Sequence, residues 1–219
     1  MARLSVSTVV SCGLYFDSGD APVSAYAIAR QLIDAAHSAD PKQVGDRPAE
    51  LVYADRMEAW LLQLAPASSE LLRLAARCQH LERWTVPRNS YPEGRAGYLT
   101  WRKFLYGKQA ARARELLVQG GVSSQEGDDA ASWVAKSGLQ TNPNTQLLED
   151  AACLVFLENE ISTFAAEHAE YPREKFVTIV AKTWRKMSQA ARDAATGIGL
   201  PPALAEILRE AVRASKKRS

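Results

Sequence analysis

The sequence contains few cysteines, the residues that form disulfide bonds and many structural zinc sites. It has three cysteines, Cys12, Cys78 and Cys153, which are widely separated and form no CxxC pair. This spacing argues against a zinc ribbon and against a disulfide framework. A reducing compartment fits the cysteine usage best.

Long apolar runs are also missing. No stretch approaches the roughly 18 apolar residues that a membrane helix needs, so we expect a soluble protein with no membrane partner. With 219 residues and 47% hydrophobic content, the chain is long enough to bury one sizeable core. Length and composition together favour one domain with extensions.

Alternating strand-like patterns are scarce, and most of the chain shows helical periodicity. The sequence predicts an all-α, single-domain bundle of about seven helices. The predicted helices cover residues 24–39, 49–64, 70–84, 96–119 and 144–168, a short helix within 122–138, and residues 173–187 and 201–214. We divide the chain into a flexible N-terminal extension (1–22), a helical domain (23–190), and a C-terminal helix with a basic tail (191–219).

The first 16 residues contain one Arg, several Ser and Thr, and no acid. This composition is typical of an organelle transit segment, but the segment is short. We expect a cytoplasmic protein, with an organelle matrix as the alternative.

Positive charge is concentrated in the middle of the chain. Residues 71–114 contain ten Lys or Arg and only two acids, a balance of +8 in a chain whose net charge is +2. Guanidinium groups match phosphate and carboxylate bidentately, so this segment predicts an anion site. The candidate anion-binding residues lie among aromatic side chains: Arg83, Arg88, Tyr91, Arg95 and Arg102.

Titratable groups could also contribute to a site. His80 lies within the basic segment, at the end of the third predicted helix, and histidine is a versatile ligand and proton carrier at neutral pH, although a structural role is an equal alternative. Glu149, Asp150 and Glu158 lie on or beside the most apolar predicted helix. Because a buried carboxylate is costly without a partner, they should pair with arginines of neighbouring helices or with a metal.

Four motifs occur in order: YADRMEAWL, RLAARCQHLERWTVPRNSYPEGRAGYLTWR, LEDAACLVFLE and KTWRKMS. With these motifs, residues 26–188 resemble a family catalogued as domain of unknown function 4202. Some of its relatives are labelled glutamyl-tRNA synthetase. This sequence lacks a HIGH motif and a nucleotide-binding α/β core, and 186–188 is only a short echo of KMSKS, so we do not expect that enzyme.

A more remote resemblance is to the all-helical HD-type metal phosphohydrolases, whose His and Asp ligands lie on neighbouring helices. It implies a divalent metal (Mn, Mg, Fe or Co) held by His80 and Asp150, with Glu149 or Glu158 orienting water. At four positions where the resemblance would place a metal ligand or a histidine, this sequence has a different residue: Arg56, Leu81, Gln109 and Asn159.

Three functions stay open at this point. The first is metal-assisted hydrolysis of a phosphate ester or nucleotide, with the arginines clamping phosphate. The second is a non-catalytic helical module that binds an anion, a nucleotide or RNA through the same arginines and aromatics. The third is a structural bundle with an internal ion-pair network.

Overall fold

The computed structural model describes residues 23–216; the predicted N-terminal extension and the last three residues of the basic tail lie outside this range. The described residues form one domain with ten α-helices and one two-stranded antiparallel sheet. The helices are α1 Ala25–Ser38, α2 Ala49–Leu64, α3 Glu70–Arg77, α4 Gly94–Gln119, α5 Ser124–Val134, α6 Pro143–Val155, α7 Ile161–Glu167, α8 Arg173–Lys186, α9 Gln189–Ala195 and α10 Pro202–Lys216. The strands are β1 Gln43–Val44 and β2 Arg47–Pro48.

The all-α prediction is confirmed, and the helices are more numerous than predicted. One long predicted helix is interrupted by a π-helical turn, Phe156–Glu160, between α6 and α7. The short helix α9 was not predicted at all. Its first residue follows Ser188, whose side chain accepts a hydrogen bond from the backbone N–H of Ala191.

Polar caps fix several helix starts, as side chains at these positions satisfy backbone N–H groups that have no partner within the helix. Ser123 forms a capping box with Glu126 at the start of α5. The side chain of Asn142 accepts hydrogen bonds from two backbone N–H groups at the start of α6, where Pro143 occupies the first turn. Ser24 and Ser69 cap α1 and α3 in the same way.

The core lies between α2 and its neighbours. Helix α2 packs against α3 and α6, α4 packs against α5, and α10 packs against α8. Fully buried side chains fill the centre, among them Met57, Leu61, Leu117 and Leu154. Helices α1 and α4 approach so closely that a side chain at Gly120 would collide with the backbone of Ala29.

The third helix ends earlier than predicted, and this changes where His80 lies. Helix α3 stops at Arg77, whereas the sequence pattern predicted a helix to about residue 84. His80 and Glu82 have φ angles of 61° and 51°, in the left-handed region. Because that conformation is incompatible with a right-handed helix, the chain turns here and continues as two 3₁₀ turns, Arg83–Thr85 and Arg88–Ser90.

Among residues 23–216, no helix combines the length and the apolar character that crossing a membrane would require.

Candidate functional site: a basic aromatic cluster

A continuous series of cation and ring contacts joins the turn after α3 to the end of α5. The Arg83 guanidinium lies over the Trp101 ring, 5.0 Å from its centroid. Trp101 lies 6.0 Å from the ring of Tyr98, and Arg102 lies over both Tyr98 (5.8 Å) and Tyr106 (5.3 Å). Lys136 reaches the same Tyr106 ring at 5.3 Å. We call these six residues the basic aromatic cluster: Arg83, Tyr98, Trp101, Arg102, Tyr106 and Lys136.

Helix α4 supplies most of the cluster because of its periodicity. Residues 98, 102 and 106 are four apart and share one face of the helix. Trp101 is buried, and its indole N–H donates to the carbonyl of Val86 at 2.9 Å, which holds the loop after α3 against α4. The backbone of Lys136, just past α5, has a φ of 62°. This left-handed conformation ends α5, since the backbone N–H groups of Lys136 and Ser137 donate to the carbonyls of Trp133 and Ser132.

His80 lies at one end of the cluster. Its ring stacks on Tyr53, with centroids 4.0 Å apart and planes 13° from parallel. Its Nε2 accepts a hydrogen bond from Nη1 of Arg83 at 2.6 Å, and its Nδ1 faces Oε2 of Glu50 at 3.5 Å. Burial and then the Arg83 charge lower the pKa of His80 well below its usual 6.5. The imidazole is therefore neutral at pH 7.

Glu50, in the first turn of α2, is a carboxyl group of unusual acidity next to the cluster. Burial raises the pKa of its carboxyl from 4.5 to about 7, and the nearby Arg83 charge only partly opposes this. Its backbone N–H donates to Oδ2 of Asp40 at 3.0 Å, which fixes the start of the helix. Sequence reasoning missed Glu50, since an acid in a first helical turn is normally explained by the helix dipole.

Glu149, one of the predicted catalytic acids, is held between two lysines. Its carboxylate accepts hydrogen bonds from Lys136 and lies 3.0 Å from Nζ of Lys186. Burial alone would raise the pKa of Glu149, but the charges and hydrogen bonds of both lysines bring it to about 2. Glu149 is thus an ionised anchor for Lys136, and a carboxylate this acidic is a poor proton carrier at neutral pH.

Asp150 and Glu158 have other partners. Oδ1 of buried Asp150 accepts hydrogen bonds from Nε2 of Gln146 (2.9 Å) and from the backbone N–H of Ser188 (2.8 Å), so it supports the start of α9. Glu158 lies in the π-helical turn, is exposed, and accepts a hydrogen bond from the indole N–H of Trp60 at 2.9 Å.

The predicted metal ligands, His80 and Asp150, each have other polar partners in the structure. In residues 23–216, no three His, Cys, Asp or Glu side chains are grouped closely enough to hold a metal ion, and no hydrogen bond or ion pair joins His80 to Asp150. One ring nitrogen of His80 is engaged by a guanidinium, which repels a second cation. Metal binding by His80 and Asp150 stays a prediction.

The predicted arginines divide into three environments. Arg83 and Arg102 belong to the cluster. Arg88 turns back on its own loop, where it donates to the carbonyls of Tyr91 (3.0 Å) and Pro92 (2.9 Å), so its guanidinium is largely occupied. Arg95 is exposed, and we find no hydrogen bond or ion pair for it within the described range. Tyr91 packs 6.2 Å from the ring of Phe104, on another side of α4.

A second polar network, around Arg77, is structural. Arg77 is 1% exposed and forms ion pairs with Asp34, Asp55 (2.8 Å) and Glu58 (2.9 Å). Arg30 forms a bidentate pair with Glu58, at 2.7 Å for each bond. All these groups have partners within the network, so we assign it to the stability of the fold.

The model of the family described as Domain of unknown function (DUF4202) matches residues 27–208. The chain belongs to this family. The prediction of the family from its four motifs is therefore confirmed for the DUF4202 domain, whereas the resemblance to HD-type phosphohydrolases stays a prediction. Comparison with curated proteins and with solved structures found no match.

Sequence reasoning also missed Tyr53, Tyr106 and Lys136. Tyr53 and Tyr106 fall at core-like helical spacing, which predicts packing and nothing more. Lys136 is one lysine in a loop with no motif around it. The relevant signal in the sequence is that α4 contains no acid before Glu115, which makes this part of the helix electropositive.

Proposed function

We propose that this domain binds a phosphate-bearing small molecule, such as a nucleotide or a phosphate ester, at the basic aromatic cluster. One observation carries the proposal. Arg83 and Arg102 are both half-buried, and in the described part of the chain neither guanidinium has a carboxylate oxygen within 4.0 Å. Their contacts are a histidine ring, a tyrosine hydroxyl and aromatic faces.

A half-buried cation without an anionic partner is costly, and aromatic faces offset this cost only in part. A phosphate group supplies the missing charge and several acceptor oxygens, which suit guanidinium groups. Burial would lower the pKa of Arg102, but its tyrosine neighbours and Glu149 raise it, so Arg102 stays charged. The cluster therefore offers permanent positive charge at neutral pH.

The same contacts explain why the ligand should have an organic part. Tyr98 is 41% exposed, and the guanidinium of Arg102 lies over one face of its ring. An exposed aromatic ring beside a cation can stack a base or another planar group. A nucleotide or an aryl phosphate combines both features.

Isothermal titration calorimetry with inorganic phosphate, pyrophosphate and nucleoside monophosphates and triphosphates at low salt tests the proposal. We expect Arg83→Gln and Arg102→Gln each to weaken binding about tenfold or more, because a charged hydrogen bond contributes about 1.5–3 kcal/mol. Lys182→Gln, at an exposed position of α8, is the matched control. Equal affinities for wild type and both arginine variants would refute the site.

Hydrolysis of the bound phosphate ester is the second candidate function, favoured by Glu50. A carboxyl whose pKa is about 7 can accept and return a proton at neutral pH, and Glu50 lies beside His80 at the Arg83 end of the cluster. Phosphate release from p-nitrophenyl phosphate and nucleotides, with and without Mn²⁺, Mg²⁺ or Co²⁺, tests this function. Activity that survives in both Glu50→Gln and His80→Ala would place the chemistry elsewhere.

A further inference from the structure

The amide nitrogen of Gln109, on α4, is buried and has no hydrogen-bond partner among the described residues. In residues 23–216, four buried side-chain atoms are without such a partner: Nδ1 of His37, Nε2 of Gln79, Nε2 of Gln109 and Oδ1 of Asn159. Of these four, Gln109 belongs to the helix that supplies most of the basic aromatic cluster. The residue is 4% exposed, so bulk water does not satisfy its Nε2 group.

Gln109 lies on the same side of α4 as the cluster. At 100° per residue, positions 98, 102, 106 and 109 fall within an arc of about 80°, and Gln109 is about 20° from Arg102. Tyr106 and Gln109 are three residues apart, the spacing at which helical side chains are neighbours, and such side chains lean towards the N-terminus of the helix. The amide is therefore directed towards Tyr106, whose ring centroid is 5.3 Å from Arg102 and 5.3 Å from Lys136.

Exposure falls along this arc in the direction of Gln109. Tyr98 is 41% exposed and Gln109 is 4% exposed, while Arg102 and Tyr106, which lie between them, are half-buried. Tyr98 thus marks the outer end of the cluster, and Gln109 marks its deep end. The two positions are separated by about 16 Å along the helix axis, at 1.5 Å per residue.

A buried amide N–H without an acceptor is unfavourable, because the group has lost its hydrogen bond to water without gaining another. The amide of Gln146 shows the usual structural arrangement, since its Nε2 donates to Asp150 at 2.9 Å. The cluster cations nearest to Gln109 are Arg102 and Lys136, which donate hydrogen bonds and cannot accept them. An oxygen of an anionic ligand would satisfy the amide and the neighbouring cations together.

We propose that Gln109 is a specificity-determining residue of the phosphate site, where it donates a hydrogen bond to the terminal phosphate of a nucleoside diphosphate or triphosphate. This inference rests on the proposed function. The base lies at the exposed Tyr98 end, the phosphate chain runs past Arg102, and the terminal oxygens reach the buried amide. A single phosphate group does not cover the distance from Tyr98 to Gln109, so a chain of phosphates fits the cluster better than a monophosphate.

Isothermal titration calorimetry of the full chain with ATP and with AMP, in buffer containing EDTA, tests the inference. Gln109→Met keeps the length of the side chain, leaves every charge in place and removes the donor. We expect it to weaken ATP binding about tenfold, because a hydrogen bond to a charged phosphate is lost, and to weaken AMP binding less than about twofold. The preference of the protein for ATP over AMP should shrink accordingly.

Thermal unfolding of the unliganded protein separates a binding role from a structural one. Because Gln109→Met removes a buried donor that has no partner in the described part of the chain, we expect the Tm to rise by about 2–4 °C. An amide that stabilises the fold, for example by holding a buried water, would give the variant a lower Tm instead. Gln119→Met, at an exposed position of the same helix, is the matched control and should change neither the Tm nor the affinity for ATP.

Three results overturn the inference: unchanged ATP binding in Gln109→Met, equal losses for ATP and AMP, or a lower Tm. The proposed function fails separately. If Arg83→Gln and Arg102→Gln weaken ATP binding and Gln109→Met does not, the phosphate site stands and the role of Gln109 is refuted. ATP binding that depends on Gln109 and on neither arginine would support the role of Gln109 and refute the proposed arginine site. Wild type that binds neither ATP nor AMP would refute both.

Discussion

Nη1 of Arg83 lies 2.6 Å from Nε2 of His80, and this contact determines which ring nitrogen of His80 is unprotonated. A guanidinium can only donate, so Nε2 must be the unprotonated nitrogen of a neutral ring. The ring proton is then on Nδ1, which faces Glu50 at 3.5 Å. Burial raises the pKa of Glu50 to about 7, so Glu50 rather than His80 is the group next to the cluster whose pKa lies near 7.

The first prediction concerns the pH dependence of stability. Since burial raises the pKa of Glu50 from 4.5 to about 7, the folded state retains a proton that the unfolded state has lost between these pH values. The free energy of unfolding should therefore fall as pH rises from about 4.5 to 7, by up to about 3 kcal/mol from this group. Glu50→Gln should remove that loss, so the variant should be more stable than wild type at pH 8 and nearly equal to it at pH 5.

Urea unfolding at several pH values measures the difference. Glu167→Gln, at an exposed position at the end of α7, serves as the control and should not change the pH profile. A Glu50→Gln variant that is less stable than wild type at pH 8 would mean that the ionised carboxylate stabilises the fold through Arg83.

The sequence predicted the helices better than the turns between them. Helix α2 begins and ends where the pattern places it, since Pro48 and Pro66 bracket a clear apolar face. The end of α3 was misplaced because LLRLAARCQHLERW keeps its helical periodicity past Arg77. Periodicity reports burial only, and Leu81 is buried from the turn just as it would be from a helix.

The candidate site was predictable only in part. A dense run of arginines and aromatics indicated an anion site, and Arg83 and Arg102 lie in one. The pattern could not show that Arg88 would bind its own loop, because that depends on backbone carbonyls presented by the turn at residues 91–94. Glu50, Tyr53 and Lys136 come to the cluster through tertiary packing, which no local pattern encodes.

The second prediction concerns Glu149 and its two lysines. Removing its charge by Glu149→Gln leaves Lys136 and Lys186 facing each other, so we expect a loss of about 3 kcal/mol in the free energy of unfolding at pH 7. The pKa of Glu149 is lowered to about 2, so its contribution is present above pH 4.5 and is lost as pH falls from 4.5 towards 2. The difference between wild type and variant should accordingly shrink in acid.

Lys136→Met in the Glu149→Gln background should recover part of the lost stability, as it removes one unpaired cation. Equilibrium unfolding of the two single variants and the double variant gives the coupling energy. Additive losses would show that Glu149 and Lys136 do not act as a pair.

The third prediction separates a structural from a metal-binding role for Asp150. Its Oδ1 accepts from Gln146 and from the backbone N–H of Ser188, the residue that caps α9. Asp150→Asn keeps an acceptor oxygen and removes the charge, whereas Asp150→Ala removes both. We therefore expect Asp150→Ala to lower the free energy of unfolding by about 1–3 kcal/mol and Asp150→Asn to lower it less.

Thermal unfolding with and without Mn²⁺ supplies the second readout, and elemental analysis of purified protein supplies the third. With Asp150 serving α9, Mn²⁺ should shift the Tm of wild type and both variants equally. A Tm that Mn²⁺ raises in wild type, but in neither variant, would identify Asp150 as a metal ligand and would favour metal-assisted hydrolysis as the function.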